Sequence, residues 1–338
     1  MPPYTKEETK EWAHATMRGV SNVVMPTFSP DLKKLNEAAI RHDVRRSREL
    51  GFWGGLAVSE CGTTVDEYIR FVEIAADEAG EDYHVMAHGS FDTLEDTIRA
   101  GQGSAAAGAD TMLLSYPPTF YPTSDDEVYD FSARVMDEVP LATVLFAVHL
   151  WGFQRLHPAE LSPELVERLA DHPRAVAIKC EGGGSSNVPH LEVLRRCGDK
   201  LLISDPREST APGHVQWFGM PWMGTSNFQY FGDAVPRYFD LLHQGKWEEA
   251  MEIYWRIHPA RTTRLADLAS YSGAHFIHRP SWKYMEWLTG FNGGPLRMPT
   301  MRLHDAPAKR LADAAVKSGI IDSVPGDMTE FFLGRNPM

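Results

Sequence analysis

From residue 20 onward, short apolar runs alternate with longer stretches in which apolar residues recur at three- and four-residue steps. The first pattern suits a strand buried on both faces and the second a helix buried on one, so their steady alternation predicts βα units around a parallel sheet. Eight runs read as strands: Asn22 to Met25, Gly54 to Ser59, His84 to His88, Thr111 to Leu114, Thr143 to His149, Ala175 to Lys179, Leu201 to Ser204 and Gln216 to Met223. Asp66 to Ala79, Leu94 to Ala107 and Asp125 to Glu138 read as helices between them. Ser124-Asp125-Asp126-Glu127 offers a capping hydroxyl and negative charge at a helix start, and Ala107-Gly108-Ala109 a helix end followed by a strand.

Eight strands favour closure into a (β/α)8 TIM barrel. The competing architecture is an open doubly wound sheet, but no GxGxxG follows the first run, as a dinucleotide-binding version prefers. Further helical segments lie near Val235 to Leu242, Trp247 to Leu268 and Ala306 to Ser318, with a shorter one around Trp282 to Leu288, while Gly290 to Pro299 reads as a loop. The chain therefore divides into an N-terminal extension (1–20), the barrel (21–243) and a C-terminal helical extension (244–338). Those last helices are expected to pack outside the barrel or to mediate subunit contacts. A length of 338 residues leaves room for both extensions around a barrel of roughly 250 residues.

Hydrophobic content of 43% and charged content of 23% exclude disordered and fibrous classes. A net charge of −13, without a basic cluster to neutralise phosphates, argues against nucleic acid or an anionic membrane and for a small-molecule substrate. The cysteines Cys61, Cys180 and Cys197 form no CxxC pair, and residues 1–19 are too charged for a secretory core, so a reduced, cytoplasmic protein is expected. No apolar run reaches the ~18–20 residues that span a bilayer.

The strongest chemical signal is Arg174-Ala-Val-Ala-Ile-Lys-Cys180. Strand alternation puts Ala175, Ala177 and Lys179 on one face and Val176 and Ile178 on the other. With the branched residues against the helices, Lys179 points into the barrel above two small neighbours, at the end where barrel active sites lie. A low-dielectric setting releases the ammonium proton more readily, and the neutral amine attacks a ketone or aldehyde. The resulting iminium stabilises a carbanion on the adjacent carbon. An exposed, structural strand-end lysine is the ordinary alternative.

Several segments then fall in a telling order: Val24-Met-Pro-Thr-Phe28, Ser59-Glu-Cys61 with Val65-Asp-Glu67, Ala107-Gly-Ala-Asp-Thr-Met-Leu-Leu114, Ala177-Ile-Lys179, Gly224-Thr-Ser-Asn227 and Gly294-Pro-Leu-Arg-Met-Pro299. Together they resemble the dihydrodipicolinate synthase and N-acetylneuraminate lyase family of class I Schiff-base aldolases, and within it the aromatic hydratase-aldolases. The resemblance covers nearly the whole chain after residue 20. It implies a Schiff-base-forming lyase that holds a 2-oxo acid as an imine on Lys179, with no metal or other cofactor, in a homodimer or homotetramer. It also puts Thr225 in the substrate-binding segment after the eighth strand. Two positions depart from the family pattern. Phe146 stands where the family carries a proton-relaying tyrosine, and Val58-Ser-Glu-Cys-Gly62 shortens the loop that binds the substrate carboxylate. Ser59 can still donate a hydrogen bond there, whereas an ionised, inward-pointing Glu60 repels a carboxylate.

Glu60, His88, Tyr116, Tyr121 and His149 fall near predicted strand ends and are candidates for the missing relay. His149 has the ordinary pKa best suited to acid–base work near neutrality. Glu60 becomes a base if burial raises its pKa. Tyr121, in Thr119-Phe-Tyr-Pro122, resembles the family's aromatic turn, which reaches a neighbouring subunit. Arg207 offers a fork to an anionic group, or pairs with Asp205 or Glu208. Gly182-Gly-Gly-Ser-Ser186 offers backbone donors to a carboxylate, or is only a turn. Trp151, Phe153, Trp217, Phe218 and Trp222 suggest a wide apolar pocket. Two other functions compete with the lyase. One is a family member that binds or senses a small molecule without turnover; the other is a metal-dependent barrel using His88, His149, Glu60 and Glu181, although HxH and HExxH spacings are absent.

Overall fold

The computed structural model describes residues 2–181, 188–272, 277–298 and 302–338. Its strands are β1 (Gly19–Val24), β2 (Gly54–Ala57), β3 (His84–Gly89), β4 (Thr111–Leu114), β5 (Ala142–Ala147), β6 (Ala175–Cys180), β7 (Leu202–Ser204) and β8 (Trp222–Met223). They pair in parallel in the order β7-β6-β5-β4-β3-β2-β1-β8, a nearly closed TIM barrel. Between β7 and β8 the Ser204 hydroxyl bridges the gap, accepting from the Gly224 N–H at 3.2 Å and facing the Gly224 carbonyl at 3.4 Å.

Local chemistry explains the element boundaries. Thr64 accepts from the Glu67 N–H while the Glu67 carboxylate accepts from the Thr64 N–H, a reciprocal cap that starts the helix Val65–Ala79. Ser124 caps the helix Asp125–Glu138 as its sequence predicts. The eighth apolar run is different: Gln216, Trp217 and Phe218 end the helix Ala211–Phe218, and only Trp222–Met223 is strand. Gly219, at φ 63°, caps that helix in the left-handed conformation that glycine adopts without strain, and Pro221 follows. The segment Trp247 to Leu268 is likewise two helices, Trp247–Arg256 and His258–Ser272. Pro259 has no N–H to donate, so it fits the first turn of a new helix and not the middle of a long one.

A shift of pairing between β5 and β6 sets the geometry of the mouth. Thr143 pairs with Ala175 and Val144 with Ala177, so Val176 is passed over and Phe146 arrives beside Lys179.

The C-terminal helices do more than coat the outside. The Arg261 guanidinium forks onto Glu208, after β7, at 2.7 and 2.9 Å, with both side chains almost fully buried. Lys283, in the helix Arg279–Leu288, donates to the Pro26 carbonyl at 2.9 Å and to the Thr27 hydroxyl at 2.6 Å beyond β1. Glu286 on the same helix accepts from Asn227 at 3.2 Å and Gln229 at 2.5 Å beyond β8. Two helices are thus fastened across the C-terminal ends of the strands. Among the described residues no helix is long and apolar enough to cross a membrane.

Candidate active site

Lys179 is the fifth residue of β6 and only 5% exposed. Its Nζ lies 2.9 Å from a Glu181 carboxylate oxygen and 4.1 Å from the centre of the Phe146 ring. Glu181 is fixed by its backbone, whose N–H donates to the Ala147 carbonyl at 2.7 Å, carrying the β5–β6 pairing past the end of the strand. The amine therefore has a carboxylate in contact as well as apolar surroundings, where β6 alone suggested an amine among small apolar neighbours. Phe146 is held by Trp151, whose indole N–H donates to the Phe146 carbonyl at 2.8 Å and whose ring meets Phe146 edge-on at 5.6 Å.

These groups face a cavity of about 220 Å³ at the mouth of the barrel. Val23, Leu56 and Leu113 line its deeper part, and Leu150, Trp151, Leu265, Leu268, Ile277 and Trp282 supply apolar surface around it. Glu60, His88, His149, Glu181, Arg207 and Thr225 also line it. So do Arg264 and Arg279, from the helices that the sequence pattern placed outside the barrel.

On the side of β2 and β3, polar groups form a linked set. The Ser90 hydroxyl donates to Glu60 at 2.9 Å, and Arg279 pairs with the other Glu60 oxygen. Burial pushes the Glu60 carboxyl up, but Arg279, His88 and the Ser90 hydroxyl outweigh it and bring the pKa down to about 2. Glu60 is thus an ionised partner of Arg279 and a weak base, the opposite of the raised pKa that a basic role requires. Burial lowers His88 to about 4, with the nearby Arg279 and Lys179 charges adding to the effect and Glu60 opposing it. At neutral pH the His88 ring is uncharged. Its Nδ1 accepts from the Ser59 N–H at 3.4 Å, which leaves the ring proton on Nε2.

The remaining candidates separate. Tyr121 is 73% exposed, outside the cavity lining, with the Arg155 guanidinium stacked 3.7 Å from its ring centre. Tyr116 is buried away from the cavity, its hydroxyl 2.8 Å from that of Ser132. Ser59 is buried behind His88, its hydroxyl donating to the Ser90 carbonyl at 3.0 Å. Arg207 reaches the cavity, but Asp205 takes its guanidinium at 2.7 Å. Thr225 lines the wall with its hydroxyl enclosed and without a hydrogen-bond partner among the described residues. His149 begins the short turn His149–Trp151 at the rim. Of the aromatics, Trp151 faces the cavity; Trp217 is 72% exposed, and Trp222 is buried with its indole N–H on the Ser21 hydroxyl at 2.8 Å. Phe153 packs on Tyr116 at 5.1 Å and Phe218 ends a helix. The segment Gly182 to Ser186 lies outside the described residues. His88, His149, Glu60 and Glu181 share the cavity, but no three His, Cys, Asp or Glu side chains among the described residues are placed to hold a metal ion.

The sequence pattern gave little notice of Arg264, Arg279 and Trp282. Arg261 and Arg264 stand at i, i+3 and so share a helix face, but a run of charged and small residues reads equally well as a solvated face.

The sequence profile of the Dihydrodipicolinate synthetase family matches residues 19–292. The chain is 25% identical over 298 residues to a 4-hydroxy-tetrahydrodipicolinate synthase of Halorhodospira halophila (strain DSM 244 / SL1), covering 85% of this chain and 91% of the relative. It is 24% identical over 304 residues to an N-acetylneuraminate lyase of Rhizobium meliloti (strain 1021), covering 88% of this chain and 94% of that enzyme. The solved structure of PhdJ bound to a substrate intermediate superposes with a TM-score of 0.75 at 19% identity, over 96% of this chain and 100% of that one.

Proposed function

Because the chain belongs to the Dihydrodipicolinate synthetase family, and is a lyase of the class I aldolase type, we propose that Lys179 forms an imine with a 2-oxo acid or related carbonyl compound that carries a bulky apolar group. The observation that carries this reading is the buried Lys179 amine at the cavity wall, 2.9 Å from Glu181.

Glu181 takes a proton from the Lys179 ammonium, and the freed amine attacks the carbonyl carbon. The carbinolamine oxygen takes one proton from Nζ and the other back from Glu181 and leaves as water, giving an iminium on Nζ. The iminium then accepts the electron pair released when a C–C bond breaks, or when a proton leaves the neighbouring carbon, and an enamine results. Glu181 is the shuttle at the nitrogen, and the neutral His88 presents an Nε2–H to a developing oxyanion. Phe146 occupies the place of the family tyrosine and exchanges no proton, so this relay uses a carboxylate in place of a phenol. Trp151, Leu268, Ile277 and Trp282 suit an aromatic or branched group on the substrate.

Borohydride reduction in the presence of pyruvate, phenylpyruvate or benzaldehyde tests the proposal. A mass adduct mapping to Lys179, absent from Lys179→Arg, is expected; no adduct with any of the three removes it. The hydroxyl-free Phe146 supports a second reading, in which the cavity binds a small molecule without turning it over. Thermal stabilisation by a carbonyl compound that is never consumed favours that reading.

A further inference from the structure

Three arginines line the cavity, and two of them have carboxylate partners. Arg207 is held by Asp205, and Arg279 by Glu60. Arg264 is 6% exposed and, among the described residues, forms no ion pair. Its terminal nitrogen donates to the Ser226 hydroxyl at 2.8 Å, and its Nε is enclosed without an acceptor among the described residues. The carboxylates whose charge acts on it are engaged elsewhere: Glu208 by Arg261, Glu181 by Lys179 and Asp267 by the Ser281 hydroxyl. A guanidinium withdrawn from water with one of its five N–H groups engaged is costly until an anion joins it. Thr225, one residue before Ser226, adds a second buried donor on the same wall without a partner among the described residues.

The wall after β2 is less hospitable to an anion. There Glu60 stays ionised and occupies Arg279. Glu181 joins the two features, since it contacts Lys179 and lines the same cavity as Arg264. Lys179 and Arg264 thus line one cavity, where a single 2-oxo acid meets both.

We infer that Arg264 and Thr225 form the subsite for the substrate carboxylate, so that a 2-oxo acid is gripped from the β8 wall and the helix His258–Ser272 and not from the loop after β2. The substrate class is then a 2-oxo acid, and neutral ketones or aldehydes of the same shape are poor ligands. This inference rests on the imine reading for the position of the carbonyl.

The test compares phenylpyruvate with phenylacetone, which replaces the carboxylate by a methyl group, in borohydride trapping on the full chain. In Arg264→Gln the half-saturating phenylpyruvate concentration is expected to rise about 10- to 100-fold, as loss of a charge-assisted bond implies, while trapping of phenylacetone is unchanged. Thr225→Val, which keeps the side-chain shape, shifts phenylpyruvate in the same direction, and Arg264→Lys restores part of the loss. Equal shifts for both ketones, or none for phenylpyruvate, overturn the subsite. If neither ketone is trapped by the unsubstituted protein, the imine reading fails, and calorimetry of phenylpyruvate on Lys179→Ala decides the subsite separately. Binding that Arg264→Gln abolishes supports it; binding that is unchanged or absent overturns it.

Discussion

The Lys179 ammonium sits 4.1 Å from the centre of the Phe146 ring, and the two residues are paired across β5 and β6. The pairing shift at Val144 produces this contact, since an unshifted register sets Phe146 opposite Ile178. An aromatic face attracts a cation, so the ring steadies the amine without taking part in proton transfer. Phe146→Ala removes a ring that is 7% exposed and is expected to destabilise the fold by about 3 kcal/mol. Urea unfolding measures this, and a loss below about 1 kcal/mol contradicts the packing role.

Glu181 is placed to move the Nζ proton, so Glu181→Gln keeps the shape and removes the base. Turnover is expected to fall by roughly 10²–10⁴-fold, with the Lys179 adduct still forming slowly under borohydride. Retention of full activity refutes the shuttle.

His88 makes acid stability informative. Its folded pKa of about 4 lies below the ordinary 6.5, so between these values the unfolded chain takes up a proton that the folded chain refuses. The associated stability is complete above pH 6.5 and drains away as the pH falls towards 4, by about 2–3 kcal/mol. His88→Gln has no such proton to bind. Unfolding free energies measured at pH 7 and pH 4.5 should show the unsubstituted protein losing more than the variant; parallel losses count against a buried neutral His88.

The Glu208–Arg261 pair fastens the helix that carries Arg264. Both side chains are below 5% exposed, so removing one partner leaves an uncompensated buried charge. Glu208→Ala is expected to cost about 3–5 kcal/mol, whereas replacing both residues by apolar ones of similar volume costs less. A double-mutant cycle read by thermal unfolding checks this. Strictly additive losses show that the two side chains do not act together.

Much of the barrel was legible because it depends on repetition. The strand from Thr111 to Leu114 and the helix from Asp125 to Glu138 appear with the predicted bounds, since their apolar periods and capping residues are local properties of the chain. The eighth run failed for a related reason. Trp217 and Phe218 carry the apolar signature of a strand, and nothing local to them reveals that they end a helix at Gly219.

What the residues alone determined is the strand rhythm and the alternation that turns Lys179 inward, because both follow from backbone periodicity. Only the tertiary structure decided which groups meet that amine. Glu181 reaches it through the pairing past the end of β6, and Arg279 from 219 residues beyond Glu60 in the chain clamps that carboxylate. Tyr121, close in sequence to a strand end, is turned out to solvent. Ionisation and access depend on neighbours distant in the chain, and those neighbours exist only once the helices have packed across the mouth.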